Sequence, residues 1–188
     1  LTLGEMIYGN FPYPLYIFSV SVFQNKVISW LKGQDEFKNV NKIYYFSDGA
    51  SSQYKNRKNF ANLCFHKSDF DVEAEWHFHA TSHGKGACDG VGGTVKRLAA
   101  RASLQLPPEK QILNPTNLFD WAVVNIKGIT FFYATKEEYE KEAEWLNERL
   151  EKTKTIVGTH QFHCYIPTSE DTLNVKFYSE GKYSKEVE

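Results

Sequence analysis

The stretch from Asn41 to Gln105 constrains the fold more than any other, because it runs from strand to loop to helix twice. Lys42–Phe46 is a short apolar run suited to a buried strand. A polar loop, SDGASSQ, follows it. Phe60, Leu63 and Cys64 then share one face of a helix that Ser51 or Ser52 is expected to cap. In the second pass, Glu75–Ala80 alternates Trp76, Phe78 and Ala80 against Glu75, His77 and His79, the period of a strand with one apolar face. Glycines at 84, 86, 90, 92 and 93 punctuate the next loop. The helix beyond it turns Val91, Val95, Leu98, Ala99 and Ala102 inward and ends before Pro107 and Pro108. Loops at the carboxyl ends of strands in an open α/β sheet converge on a common site, and each of these loops holds an acid, Asp48 and Asp89.

The flanks are simpler. Val22, Phe23, Val27, Trp30 and Leu31 predict a helix from Ser19 that stops near Gly33. Thr116–Ile126 reads as a helix begun by Pro115, and Ile129–Ala134 as a short strand. Lys136–Lys152 is a charged helix with a thin stripe of Tyr139, Ala143, Leu146 and Leu150. From Thr155 the chain reads as a hairpin turning near Ser169–Asp171, with His160, Phe162, Cys164 and Ile166 on one strand face. The apolar stretch Phe11–Phe23 holds two prolines and is too short to span a bilayer, so no membrane partner is expected. The chain opens on Leu1, and an upstream part is expected to be missing.

With 188 residues and 41% hydrophobic content, one ordinary domain with a small appendage can build a core. Three scattered cysteines, Cys64, Cys88 and Cys164, point to a reducing, intracellular compartment rather than a disulfide scaffold. The net charge of −1 excludes general attraction to phosphate backbones, but charge is segregated. Bases outnumber acids over residues 51–105, whereas acids outnumber bases over 135–152.

A carboxylate at a strand's end can hold a hard cation such as Mg²⁺, and convergent carboxylates can hold two ions that run phosphodiester chemistry. From spacing alone, turn and capping roles account for Asp48 and Asp89 better than a metal does. Lys96 lies two helical turns beyond Asp89, and Gly92 and Gly93 leave room for a close backbone. Lys55, Arg57, Lys58, Lys85, Arg97 and Arg101 would supply phosphate contacts, or form a solvated face. His77, His79, His83 and Cys88 fall within a dozen residues and could bind zinc, although neither CxxC nor HExxH spacing is present.

FSDGASSQYKNRKNF, followed by EWHFHATSHGKGACDGVGGTVKRLAARASLQ, resembles the catalytic core of eukaryotic DDE/D-type transposases. The elements that carry the likeness are Asp48, Gln53, Lys55 and Asn56, then Ser82, His83 and Asp89. The resemblance implies an α/β, RNase H-like mixed sheet with flanking helices, partial here, over residues 1–134. Residues 135–188 would then be a helix and small β-hairpin appendage. It implies metal-dependent DNA strand cleavage and transfer in the nucleus, with Mg²⁺ or Mn²⁺ in a two-metal site. Asp48 would be the second metal-binding acid and Asp89 the third, with the first acid expected upstream. Gln53, Lys55, Asn56, Arg57, Lys58, His83, Lys85, Lys96 and Arg97 would line the DNA, with a homo-oligomer open beside a monomer. Two other readings stand beside it: a domesticated derivative that binds DNA or protein without catalysis, and a zinc-stabilised binding module.

Overall fold

The structure, a computed structural model, describes residues 16–51, 53–79, 87–178 and 185–187. It is a mixed α/β protein whose described residues fall into two compact units, one within Tyr13–His83 and Ala134–Glu188, the other within Gly84–Tyr133.

The first unit is built on a five-stranded mixed sheet. Strands β1 (Lys42–Ser47) and β2 (Glu73–Phe78) pair in parallel, with Lys42 beside Glu73 and Phe46 beside His77. A parallel pair needs a crossover. Helices α2 (Arg57–Cys64) and α3 (His66–Phe70) provide it. The other edge of β2 takes β3 (Cys164–Pro167) antiparallel, followed by β4 (Leu173–Lys176) and β5 (Lys185–Val187) in the order β1-β2-β3-β4-β5. Strands β3, β4 and β5 thus extend the sheet begun by β1 and β2.

Because side chains alternate along a strand, the sheet has two unlike faces. Tyr45, Ala74, Trp76, Phe78, Tyr165 and Val175 are buried, with Phe60 and Leu63 of α2 among the buried apolar residues of the crossover. On the other face Tyr44 and Phe46 remain exposed, at 55% and 58% of their surface. A further cluster joins Phe18 and Val22 of α1 (Tyr16–Lys32) to Tyr139, Leu146 and Leu150 on or just past α6 (Lys136–Arg149). Thr135 and Glu138 close a reciprocal capping box that starts α6, with the Thr135 Oγ1 accepting from Glu138 N and Glu138 Oε2 accepting from Thr135 N.

The second unit pairs α4 (Ala87–Gln105) with α5 (Pro115–Asn125) through Val95, Ala122 and Ile126. Pro115 occupies the first turn of α5, where its missing N–H costs no helical bond, and Asn114 caps it.

Three expectations change. The cap of α2 is Asn56, not Ser51, which lies in the preceding turn; Ser52 is outside the described residues. Residues 129–134 form no strand among the described residues; Ile129 and Phe131 pack on the Val95–Ala122–Ile126 cluster, so burial against helices replaces a ladder. His160 sits in a 3-10 turn before β3 rather than on a strand.

Candidate functional site

Asp48 follows the last residue of β1 and is exposed. Its Oδ1 accepts from Ala50 N at 3.1 Å, folding the loop as an aspartate turn. The loop is anchored from below. Trp76 Nε1 donates to Ser47 Oγ at 2.9 Å, and Ser47 Oγ donates onward to Asp48 O at 3.1 Å. The backbone N–H groups of Gln53, Tyr54 and Lys55 all reach Ala50 O. This turn delays the start of α2, so the capping duty passes to Asn56. The Asp48 carboxylate is therefore held in a hydrogen-bonded turn at the carboxyl end of a parallel strand.

The neighbouring polar residues are used within the fold. Lys55 is only 8% exposed; its ammonium donates to His160 O at 3.4 Å and lies 5.3 Å from the Phe78 ring centre. Burial holds its pKa below that of an ordinary lysine. Asn56 Oδ1 accepts from Lys58 N and Asn59 N, both at 3.1 Å, and its Nδ2 donates to Gln53 O at 3.2 Å. Arg57 reaches Thr153 O at 3.4 Å. Lys58 donates to Asn147 Oδ1 at 2.8 Å and lies 4.5 Å from the Phe18 ring centre, and burial lowers its pKa. Gln53 is half-buried, with its carbonyl taken up by Asn56 and Asn59.

Asp89 belongs to the other unit. It is exposed in the first turn of α4, inside the helix rather than at its cap. A carboxylate is favoured there by the helix dipole. Lys96 and Arg97 are exposed further along the same helix. Ser82, His83 and Lys85 lie outside the described residues.

A second group forms on the sheet face that carries Tyr44 and Phe46. His77 and Cys164 are direct partners across β2 and β3, and Glu75 lies two residues back on the same face. His77 Nε2 stands 3.4 Å from Glu75 Oε2 and 3.9 Å from Cys164 Sγ. One potential ligand atom from each of the three lies within 4.8 Å of the other two. The Phe46 ring stacks on His77 with centroids 5.0 Å apart. Lys42 donates to Glu75 Oε1 at 2.8 Å, which turns the other carboxylate oxygen toward the imidazole. Burial lowers the pKa of His77 and pushes the Cys164 thiol up to about 11.

The profile of one protein family matches residues 16–179, from the start of α1 to just past β4. The chain belongs to the DUF8701 family. That family is described as a domain of unknown function. No curated protein and no solved structure matches this DUF8701 chain. Among its described residues no helix is long and apolar enough to cross a membrane.

Sequence spacing had placed His77 with His79, His83 and Cys88. Within the DUF8701 fold, strand register instead gives His77 two other neighbours, Glu75 and Cys164. The alternation in EWHF and in FHCYI was a legible signal that these residues occupy strand faces. Which strands pair, and in what register, is decided by tertiary packing.

Proposed function

We propose that this domain is part of a metal-dependent DNA strand-cleaving and strand-transferring protein of the DDE/D transposase type, with an RNase H-like sheet, acting on nuclear DNA. The observation that carries the reading is the position of Asp48: an exposed carboxylate in a braced turn at the carboxyl end of β1, beside the parallel strand β2. Ligand sites of open α/β sheets lie at that end. The donor suits a hard cation. Oδ1 is used by the turn, while Oδ2 has no partner among the described residues, and Mg²⁺ or Mn²⁺ takes few protein oxygens and keeps its waters. A bound ion of this kind would polarise a phosphodiester and favour an attacking hydroxyl. The chain's own contribution is to hold the carboxylate in one orientation, through Ser47, Trp76 and Ala50. Asp89 enters the reading through the resemblance alone.

The test is Mn²⁺ binding followed by electron paramagnetic resonance, alongside plasmid nicking with and without Mg²⁺. Asp48→Asn is expected to lose the bound Mn²⁺ and any metal-dependent nicking, with Asp89→Asn assayed separately. Retention of both by Asp48→Asn overturns the assignment.

A second reading, a relative that binds DNA or protein without catalysis, is favoured because Asp48 belongs to no group of three candidate metal ligands among the described residues. It predicts salt-dependent DNA binding with no bound Mn²⁺.

A further inference from the structure

Three side chains of different chemistry, brought together from β2 and β3, have no role in the Asp48 reading. We propose that Glu75, His77 and Cys164 form a binding site for a borderline-soft divalent transition metal, zinc being the expected occupant, with the remaining position open to water or a further ligand.

The distances support a metal better than a hydrogen-bond network. A strong hydrogen bond from imidazole to carboxylate runs at about 2.7–2.9 Å. His77 Nε2 instead stands 3.4 Å from Glu75 Oε2, long for such a bond, and 3.9 Å from Cys164 Sγ, at the far limit for a bond to sulfur. Tetrahedral zinc with bonds of about 2.0–2.1 Å to nitrogen or oxygen and about 2.3 Å to sulfur spaces its ligands by about 3.3–3.6 Å. The two separations from His77 lie near those edges and the third, between Glu75 and Cys164, is within 4.8 Å, so the three atoms would draw together around an ion.

The donor set selects the metal class. Thiolate and imidazole together disfavour Mg²⁺ and Ca²⁺ and suit zinc or its substitutes. The His77 nitrogen that faces Glu75 and Cys164, and would bind the ion, is Nε2; Nδ1 is buried without a hydrogen-bond partner among the described residues. The surroundings also suit an ion. Lys42 holds the outer oxygen of Glu75, as outer-shell partners commonly orient a ligating carboxylate. Phe46 covers the imidazole. On binding, the Cys164 thiol transfers its proton to solvent and the thiolate sulfur bonds the metal, so one proton leaves per thiolate–metal bond. The two anions then balance the dication.

The site is tested on the full chain, purified metal-free and titrated with Co²⁺ and then Zn²⁺. One equivalent of Co²⁺ is expected to give a thiolate-to-cobalt charge-transfer band that Zn²⁺ abolishes. Cys88→Ser should retain the band, Cys164→Ser should lose it, and His77→Gln should weaken binding at least about tenfold, the loss that even outer partners of a metal produce. Should Cys164→Ser fail to fold, X-ray absorption of the zinc-loaded wild type decides. One sulfur at about 2.3 Å with lighter atoms completing the shell supports the site. No charge-transfer band in the wild type, loss of the band in Cys88→Ser, or a shell without sulfur overturns it. These outcomes are independent of the Asp48 assay.

Discussion

Phe60 lies flat on Tyr165, with ring centroids 3.9 Å apart and planes 11° from parallel. The contact joins the crossover helix α2 to β3, about a hundred residues later in the chain, and Phe78 meets both rings edge-on. Phe60 is 1% exposed and Tyr165 fully buried. Phe60→Ala removes the ring from a site with little room to collapse, and is expected to destabilise the fold by about 3–5 kcal/mol. Urea unfolding measures this directly. A loss under about 1 kcal/mol would show that α2 does not seal the sheet in this way.

His66 fixes its own tautomer. Val72 O, 2.7 Å from Nδ1, can only accept, so Nδ1 carries the proton and Nε2 accepts from Tyr45 Oη at 2.9 Å. Burial is the main cause of a lowered pKa, partly offset by the bond to Val72. The unfolded chain, with histidine near 6.5, therefore binds the proton more readily than the folded one. Stability from neutral His66 is complete above about pH 6.5 and is lost as pH falls below it toward the lower folded value. His77 shifts the same way. The urea midpoint of the wild type should fall over that window, and His66→Gln should show a shallower fall. Equal slopes for the two proteins would contradict the assignment.

Lys55 is a different case, a buried cation with no carboxylate partner among the described residues. Its carbonyl contact is long, and burial opposes its charge. A buried charge often contributes less than an apolar side chain of similar shape. Lys55→Met is expected to leave the unfolding free energy unchanged or raise it, as read from urea melts at neutral pH. If Lys55 also serves a nucleic acid, the same variant will lose DNA affinity without losing stability.

The elements that a sequence period announces were legible: Val22 and Val27 for α1, Trp76 and Phe78 for β2, and Tyr139, Leu146 and Leu150 for α6 and its end. Strand β5 was not, because Lys185–Val187 has almost no apolar signal and is placed by its pairing with β4. Apolarity at Ile129 and Phe131 suggested a strand, yet it is satisfied by α4 and α5. At the site, Asp48 could be located from its loop, since a turn sequence after an apolar run is local information. The pairing of His77 with Cys164 could not, because it depends on register between segments far apart in sequence.

Asn56 separates a structural role from a nucleic-acid role. Its Oδ1 accepts two backbone N–H groups at the start of α2, and its Nδ2 ties the Asp48 loop to the helix through Gln53 O. Asn56→Ala loses the cap and should cost about 1 kcal/mol in urea unfolding. Asn56→Asp keeps an oxygen acceptor for both N–H groups and adds a charge that the helix dipole favours, but it loses the donor to Gln53 O, so it should recover part of that loss. The same aspartate would repel a phosphate backbone. If Asn56 only caps α2, DNA affinity measured at fixed salt will track stability across the two variants. If it also meets DNA, Asn56→Asp will be more stable than Asn56→Ala and yet bind more weakly than it. Comparing thermal melts with DNA titrations of the three proteins decides which role the residue plays.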